Sequence, residues 1–315
     1  MSVRSLILAA VLVASPSLAG APVAGEGRHV RIETEEALII WDAGNKTEHL
    51  IRRAAFDTDA KDFGFLVPTP TQPDFAEASD EVFRHLERVT RAPDAPVTVL
   101  ERKTVGGLDV AVLAATRAKA LDDWLKQHGY RSSPDLAQWF KPYAAKGWNI
   151  SAFKVAGDAP RVDTAAVRMS FRTERPFFPY REPASPHSAK RRLLRVYVLA
   201  DQRVAGTVGA EGEWPAAAHW AARLPDNDRE RVLQLVALPY TTATAAFWLT
   251  KFEDFSSSRA DGDEVYFKTA QQQTIIRSAP VIQEKRGLPW QWIAIAVLLC
   301  AGIAAYLRRQ RKSNG

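Results

Sequence analysis

Residues 37–41 (ALIIW) form a short apolar run suited to a buried strand, and the turn-rich DAGNK after it leads into a second strand over 47–55. Two such runs around a Gly/Asn turn predict a β-hairpin. A third strand over 62–67 ends in VPTPTQP, where the prolines lack the N–H that a sheet interior needs. Helix follows, with Ser79 as N-cap, Asp80 and Glu81 in the first turn, and Val82, Phe83, Leu86 and Val89 on one face. The next block repeats the pattern. Strands over 97–103 and 108–114 flank Gly106-Gly107, and Thr116 caps a helix that carries Leu121, Trp124 and Leu125 on one side and stops at Gly129. Ser133-Pro134 starts another helix, since proline at the first helical position gives up no needed donor. Leu136, Trp139, Phe140 and Tyr143 line one side of it, Pro142 is placed to kink its last turn, and Gly147 closes it.

Strands over 149–155, 165–171 and 193–199 complete this body. Residues 206–213 read as a loose Gly-rich stretch and 214–223 as a helix, while PDNDRE reads as a polar turn or a further helix start. Strands are expected over 243–250 and 265–269. The fold class predicted is α+β: largely antiparallel hairpins with helices packed on one face, without the βαβ rhythm of a parallel sheet. Residues 20–205 form the main domain, and 206–287 a strand-rich C-terminal part of the same unit.

The two ends have a different character. Arg4, an apolar run over 6–14 and the small residues Ser17 and Ala19 together predict a signal peptide over 1–19. No Cys follows the run, so a lipoprotein anchor has no attachment point. Residues 288–307 contain no charge, and a helix of about 20 residues spans the roughly 30 Å of a bilayer core. Trp290, Trp292 and Tyr306 sit at the ends of this run, where amphipathic rings favour the headgroups. Arg308, Arg309, Arg311 and Lys312 follow, which puts the basic tail over 308–315 in the cytoplasm and the main domain outside. A sorting-enzyme signal is the rival reading of this end; Leu288-Pro289 begins one, but Trp290 and Gln291 break it. The expected address is the bacterial cytoplasmic membrane, single-pass, with a periplasmic domain.

Charge changes the picture only once it is divided. The chain has a net charge of +6, but Arg4 and the four tail residues account for five of its 42 basic residues. The region between keeps 37 against 36 acidic, so no general attraction to nucleic acid is expected. The one cysteine, Cys300, lies in the expected membrane span, which excludes disulfides and thiol chemistry from the outer domain.

The segments EEALIIWDAGNKTEHLIRRAAF, DFGFLVPTPTQP, VGGLDVAVLAA with WLKQHGY, and GWNISAFKVA occur in that order, followed by RVYVLADQRV and FWLTKFEDFSSS. In these the chain resembles the bacterial family Domain of Unknown Function 2330. The resemblance implies export and a shared fold, and it brings no activity or catalytic residues. It also implies a cysteine near the mature N-terminus in many members, and this chain has none there.

Candidate chemistry is sparse. His29, His49, His85, His128, His187 and His219 form neither H-x-H nor H-E-x-x-H, so surface or helix-capping roles are expected and no metal or cofactor. No G-x-S-x-G string occurs. Asp261, Asp263 and Glu264 in RADGDE lack the later glutamate of a calcium loop and read as an exposed acidic turn. In RTERPFFPYREP, two prolines stiffen a strip of Arg175, Phe177, Phe178, Tyr180 and Arg181. Exposed, these residues would suit an envelope protein or glycan partner; the other reading plugs Phe177 and Phe178 into the core. The function expected is a non-enzymatic envelope domain that binds or scaffolds. A hydrolase acting on envelope material through carboxylates is the alternative.

Overall fold

The computed structural model describes residues 20–91, 109–113, 118–130, 133–156, 159–183, 191–257, 259 and 262–277. In chain order its elements are β1 (Ala21–Ala24), β2 (Val30–Asp42), β3 (Thr47–Thr58), β4 (Asp62–Thr69), β5 (Asp74–Glu77), α1 (Glu81–Val89), β6 (Asp109–Leu113), α2 (Ala118–Gln127), α3 (Pro134–Lys146) and β7 (Asn149–Ala156). Then come β8 (Arg161–Asp163), β9 (Val167–Arg172), β10 (Phe177–Phe178), β11 (Leu193–Ala200), β12 (Val204–Val208), β13 (Gly212–Glu213), β14 (Ala217–Arg223), α4 (Asp226–Leu235), β15 (Trp248–Asp254) and β16 (Val265–Thr269). The protein is mostly antiparallel β-sheet with a few helices.

One large sheet runs β14-β15-β11-β2-β3-β9-β5, with β8 also on β3. Two four-stranded sheets, β1-β4-β7-β6 and β10-β16-β12-β13, accompany it. Neighbouring side chains on a strand point to opposite faces, and both faces of the large sheet are covered. On β2, Ala37 and Ile39 enter one core while Leu38 and Ile40 enter another. On β4, Phe63, Phe65 and Val67 share the core of Ala37 and Ile39, and Leu66 faces the opposite way among α3 side chains. The result is four layers. Helices α1 and α4 cover the outer face of the large sheet, a central core lies between that sheet and the two smaller ones, and α2 and α3 cover the far face of β1-β4-β7-β6.

The helices therefore pack on two opposite outer faces and not on one, because both the large sheet and the smaller one carry a second apolar row. Residues 214–223 are not helical: β14 pairs with β15, with a bulge near His219, and Ala221 also exchanges backbone hydrogen bonds with Ile276. Its alanines favour helix locally, but period-two burial of Trp220 and Ala222 against the α4 layer decides the outcome. Residues 206–213 are likewise ordered, as the β12–β13 hairpin. Gly206 is required there, since a Cβ would lie 2.5 Å from the Trp214 ring. The strand expected from 243 begins only at Trp248. Before it, the Arg229 guanidinium donates to the carbonyls of Tyr240, Thr242, Ala243 and Ala246 at 2.6–3.2 Å and holds that stretch as a turn.

Other expectations match the structure. The 37–55 hairpin is β2–β3, PDNDRE starts α4, and 265–269 is β16. In α3, Ser133 Oγ accepts from the Leu136 N–H at 3.1 Å, and Gly147 ends the helix at φ 67°. No helix among the described residues is long and apolar enough to cross a membrane. The expected signal peptide, membrane span and tail lie outside the described residues, as do residues 97–103 and Thr116.

Candidate functional site

Three pairs of like-charged neighbours sit on central strands of the large sheet: Glu35-Glu36 on β2, Arg52-Arg53 on β3 and Glu253-Asp254 on β15. Strand alternation sends one member of each pair to each face. On the face covered by α1 and α4 this produces a ladder. Arg53 donates to Glu36 Oε2 through Nε and Nη2 at 2.9 and 2.6 Å. Arg195 bridges Glu36 at 3.1 Å and Glu253 at 2.9 Å, and Lys251 reaches Glu253 at 3.0 Å. Arg53 and Arg195 are direct cross-strand neighbours of Glu36, and Arg195 of Glu253, so opposite charges alternate along the sheet. Arg53 also donates to the Asp80 carbonyl at 3.1 Å, which ties the ladder to the start of α1.

On the inner face lies a second cluster. Arg52 pairs with Glu35. Arg259 lies 3.4 Å from Asp254, 3.6 Å from Glu182 and 4.0 Å from Glu35. Arg192 Nη2 donates to both Glu182 oxygens at 2.7 Å, and the Tyr180 hydroxyl donates to Asp254 at 2.8 Å. Three guanidinium groups thus meet three carboxylates, all nine-tenths or more buried. Burial pushes Glu182 up to about 8 despite Arg192 and Arg259. Burial also lowers Arg192, so both partners shift in the direction desolvation dictates. At Asp254 burial pushes upward, but Arg259 and the hydrogen bonds from Ser256 and Tyr180 together hold it below its usual range.

Arg52 also lines a small pocket between β3–β9 and β4–β7. Ala54, Phe56, Phe65, Phe153, Val155 and Met169 form its apolar walls. Thr164, Ala165 and Val167 are half-buried and bring it to the surface. The Thr164 hydroxyl is already bonded to the backbone of Ala54. Arg52 lies 4.0 Å over the Phe65 ring, 93% buried by its 7% exposure, and its Nη1 has no hydrogen-bond partner.

The strip expected from sequence does not form an exposed surface. Phe177 and Phe178 pair with β16 and are fully buried in the central core, and Tyr180 is buried against Asp254. The prolines end the strand, but the rings that precede and follow them fill the space between sheets. Arg175 is exposed and lies 3.7 Å over the Tyr266 ring. Arg181 is half-buried and binds through its backbone: its carbonyl accepts from Trp139 Nε1 at 2.9 Å and its N–H donates to Glu264 at 3.2 Å. Glu264 is not in an exposed turn. It is fully buried, takes the Tyr143 hydroxyl as donor, and is pushed up by burial to about 7.

Two histidines are not at the surface either. His49 is buried beside Ser170 at 2.8 Å, and burial with Arg168 nearby lowers it to about 4. His85 is buried on α1, 3.4 Å from Asp228. His128 lies after α2 with Nδ1 2.8 Å from the Trp124 carbonyl, and His187 and Asp261 lie outside the described residues. The described residues contain no group of three or more His, Cys, Asp or Glu placed to hold a metal. Neither the pocket nor the inner cluster was anticipated, although the like-charge doublets inside apolar runs were a usable signal.

These features define a layered, mostly antiparallel β protein with ion pairs on both faces of its main sheet and an apolar pocket ending on an arginine. The chain belongs to the family described as an uncharacterized protein conserved in bacteria, DUF2330, whose profile matches residues 13–94 and 90–254. No curated protein sequence matches it. Among solved structures it is similar to baculovirus P35, at 6% identity and a TM-score of 0.40 over 80% of this chain and 98% of that one. A mutated baculovirus P35 after caspase cleavage gives 7% identity and 0.35 over 75% and 99%.

Proposed function

We propose that this protein is a membrane-anchored, extracytoplasmic domain that works by binding and not by catalysis. The anchoring rests on the uncharged run over 288–307 with its aromatic ends and the basic cluster after it. The binding reading is carried by the pocket: apolar walls with one charged group are the composition of a ligand site. Its lining holds no carboxylate, histidine or cysteine that could act as base or nucleophile. Glu182 and Glu264, whose raised values would suit an acid, are fully enclosed and engaged by Arg192 and Tyr143. The hydrolase alternative needs an accessible pair of carboxylates, and the pocket supplies none. An envelope component is the partner this placement favours.

Alkaline phosphatase fused after residue 277 should be active in cells, and fused after Gly315 inactive; activity of the second fusion overturns the orientation. Full-length protein incubated with fractionated envelope material should return what it binds chemically unchanged. Turnover that tracks the protein concentration would instead favour the hydrolase.

A further inference from the structure

The last turn of α3 is fastened to the sheet beside it through one carboxyl group. Glu264, immediately before β16, is fully buried. Its Oε1 meets the Tyr143 hydroxyl and its Oε2 accepts from the Arg181 N–H at 3.2 Å, so it ties α3, the chain after β10 and β16 at one point. Pro142 precedes Tyr143 in the helix and has no N–H to give the Gln138 carbonyl, which weakens the join between the last turn and the rest of α3. Across the same junction Lys146 and Asp263 stand 3.9 Å apart in the open, a weak pair. The other charged or titratable groups facing Glu264 are Arg181 and Tyr266; Tyr180 presents only its backbone, its hydroxyl being given to Asp254. Strands β10 and β12, which flank β16, carry none.

Burial pushes Glu264 up to about 7, although the Tyr143 hydroxyl and the Arg181 N–H pull it down. Burial pushes Tyr143 well above its usual range too, so the carboxyl is the member of the pair that titrates. Carrying a proton, Glu264 donates it to the Tyr143 oxygen while still accepting from Arg181, and both groups stay neutral in an enclosed site. Without it, a charge is held away from water, and opening the turn behind Pro142 is the route by which water reaches it. We propose that Glu264 is a proton-operated latch, which holds the last turn of α3 against β16 while protonated and frees it, hinged at Pro142, as the proton leaves to solvent. Opened to water the carboxyl titrates near 4.5, and seated near 7. The latch is therefore fully engaged below 4.5 and weakens by about tenfold per pH unit up to 7, where the loss is complete. It is a property of the fold and does not depend on what the domain binds.

The test is hydrogen exchange of the full chain in lipid nanodiscs, read on peptides covering residues 142–150, with exchange times scaled to the intrinsic rate at each pH. Protection of these amides should fall by more than about tenfold from pH 5 to pH 7.5 and change little from pH 8 to pH 9. Glu264→Gln offers an amide N–H to Tyr143 and an oxygen to Arg181, as the protonated acid does, and should keep protection high at every pH. Tyr143→Phe keeps the ring and removes a hydroxyl that stabilises the carboxylate, so the fall should run on to higher pH than in the parent. Protection that does not vary with pH, or that varies equally in Glu264→Gln, overturns the latch. So does a fall of the same size in β2 peptides that disappears in Glu264→Gln, because that is unfolding of the whole domain and not of one turn. Should the glutamine variant fail to fold, Tyr143→Phe decides, and a pH dependence left in place by that variant overturns the proposal.

Discussion

On the helix-covered face of the large sheet, the Glu36 carboxylate accepts hydrogen bonds from both Arg53 and Arg195; on the opposite face, Arg259 stands 3.4–4.0 Å from three carboxylates and donates to none of them. The two sets of charges come from the same strands, often from adjacent residues. What differs is the cover. Arg195, Glu253 and Lys251 retain 16%, 14% and 12% side-chain exposure under the helices, while Glu35, Glu182 and Arg259 keep 1% or less between the sheets. The outer ladder keeps some access to water and satisfies its donors across the strands. The inner cluster is enclosed, and burial outweighs the neighbouring charges at Glu182 and Arg192 but not at Asp254. A charge pair in a sheet thus acquires its role from the layer above it as much as from its partner.

Removing a member of the inner cluster should have the largest effect. Arg259→Met leaves Glu35, Glu182 and Asp254 without their shared cation, and should lower unfolding free energy by about 3–5 kcal/mol in a denaturant titration. A loss under about 1 kcal/mol would mean that the enclosed charges are compensated elsewhere. Phe178→Ala gives the apolar benchmark for the same central layer. It should also cost about 3–5 kcal/mol, whereas a near-neutral result would restore the exposed recognition strip.

Glu182 on the inner face and Glu253 on the outer should respond to pH in opposite directions. Glu182 titrates near 8 in the folded protein against 4.5 as a free side chain, so its contribution is complete below 4.5 and lost as pH rises through 8. Between pH 7 and 9 this amounts to a loss on the order of 1 kcal/mol, and Glu182→Gln should remove it. At Glu253 burial pushes upward but Lys251 and Arg195 outweigh it, so its value is lowered. Its contribution is present above 4.5 and lost as pH falls through that lowered value. Chemical denaturation from about pH 2 to 9 resolves the two limbs. An alkaline limb that persists unchanged in Glu182→Gln would assign it to another group. The smallest effect is expected at the end of the ladder, where Lys251→Met should change stability by less than about 1 kcal/mol. A loss comparable to that of Arg259→Met would erase the distinction between the faces.

Much of the fold was legible where local chemistry decides it. Ser133-Pro134 and Gly147 delimit α3 through a side-chain cap and a left-handed backbone, both properties of the residues themselves. Residues 214–223 misled because alanine favours helix and the partner strand β15 lies some thirty residues further on. Glu264 looked like part of a solvated acidic turn; its donor, Tyr143, is 121 residues away. The strip over 175–181 failed for a related reason, since aromatics beside prolines read alike whether they face solvent or a second sheet. The inner cluster was half-written in the doublets at 35–36, 52–53 and 253–254. Adjacent like charges suggest a surface, and only a strand buried on both faces turns them into two separate buried layers.

The parallel pairing of β2 with β11 joins Thr34 to Leu193 and Ile40 to Leu199 at the centre of the large sheet. Every other pairing of β2 is made with its hairpin neighbour β3. A chain emerging from its N-terminus can therefore close that hairpin early, but it cannot complete the sheet until residue 199 has arrived. Long-range strand pairing of this kind is slow, and in the interval β2 presents an open edge of apolar side chains. Synthesis halted short of β11 would thus yield a product prone to aggregate through the open edge of β2.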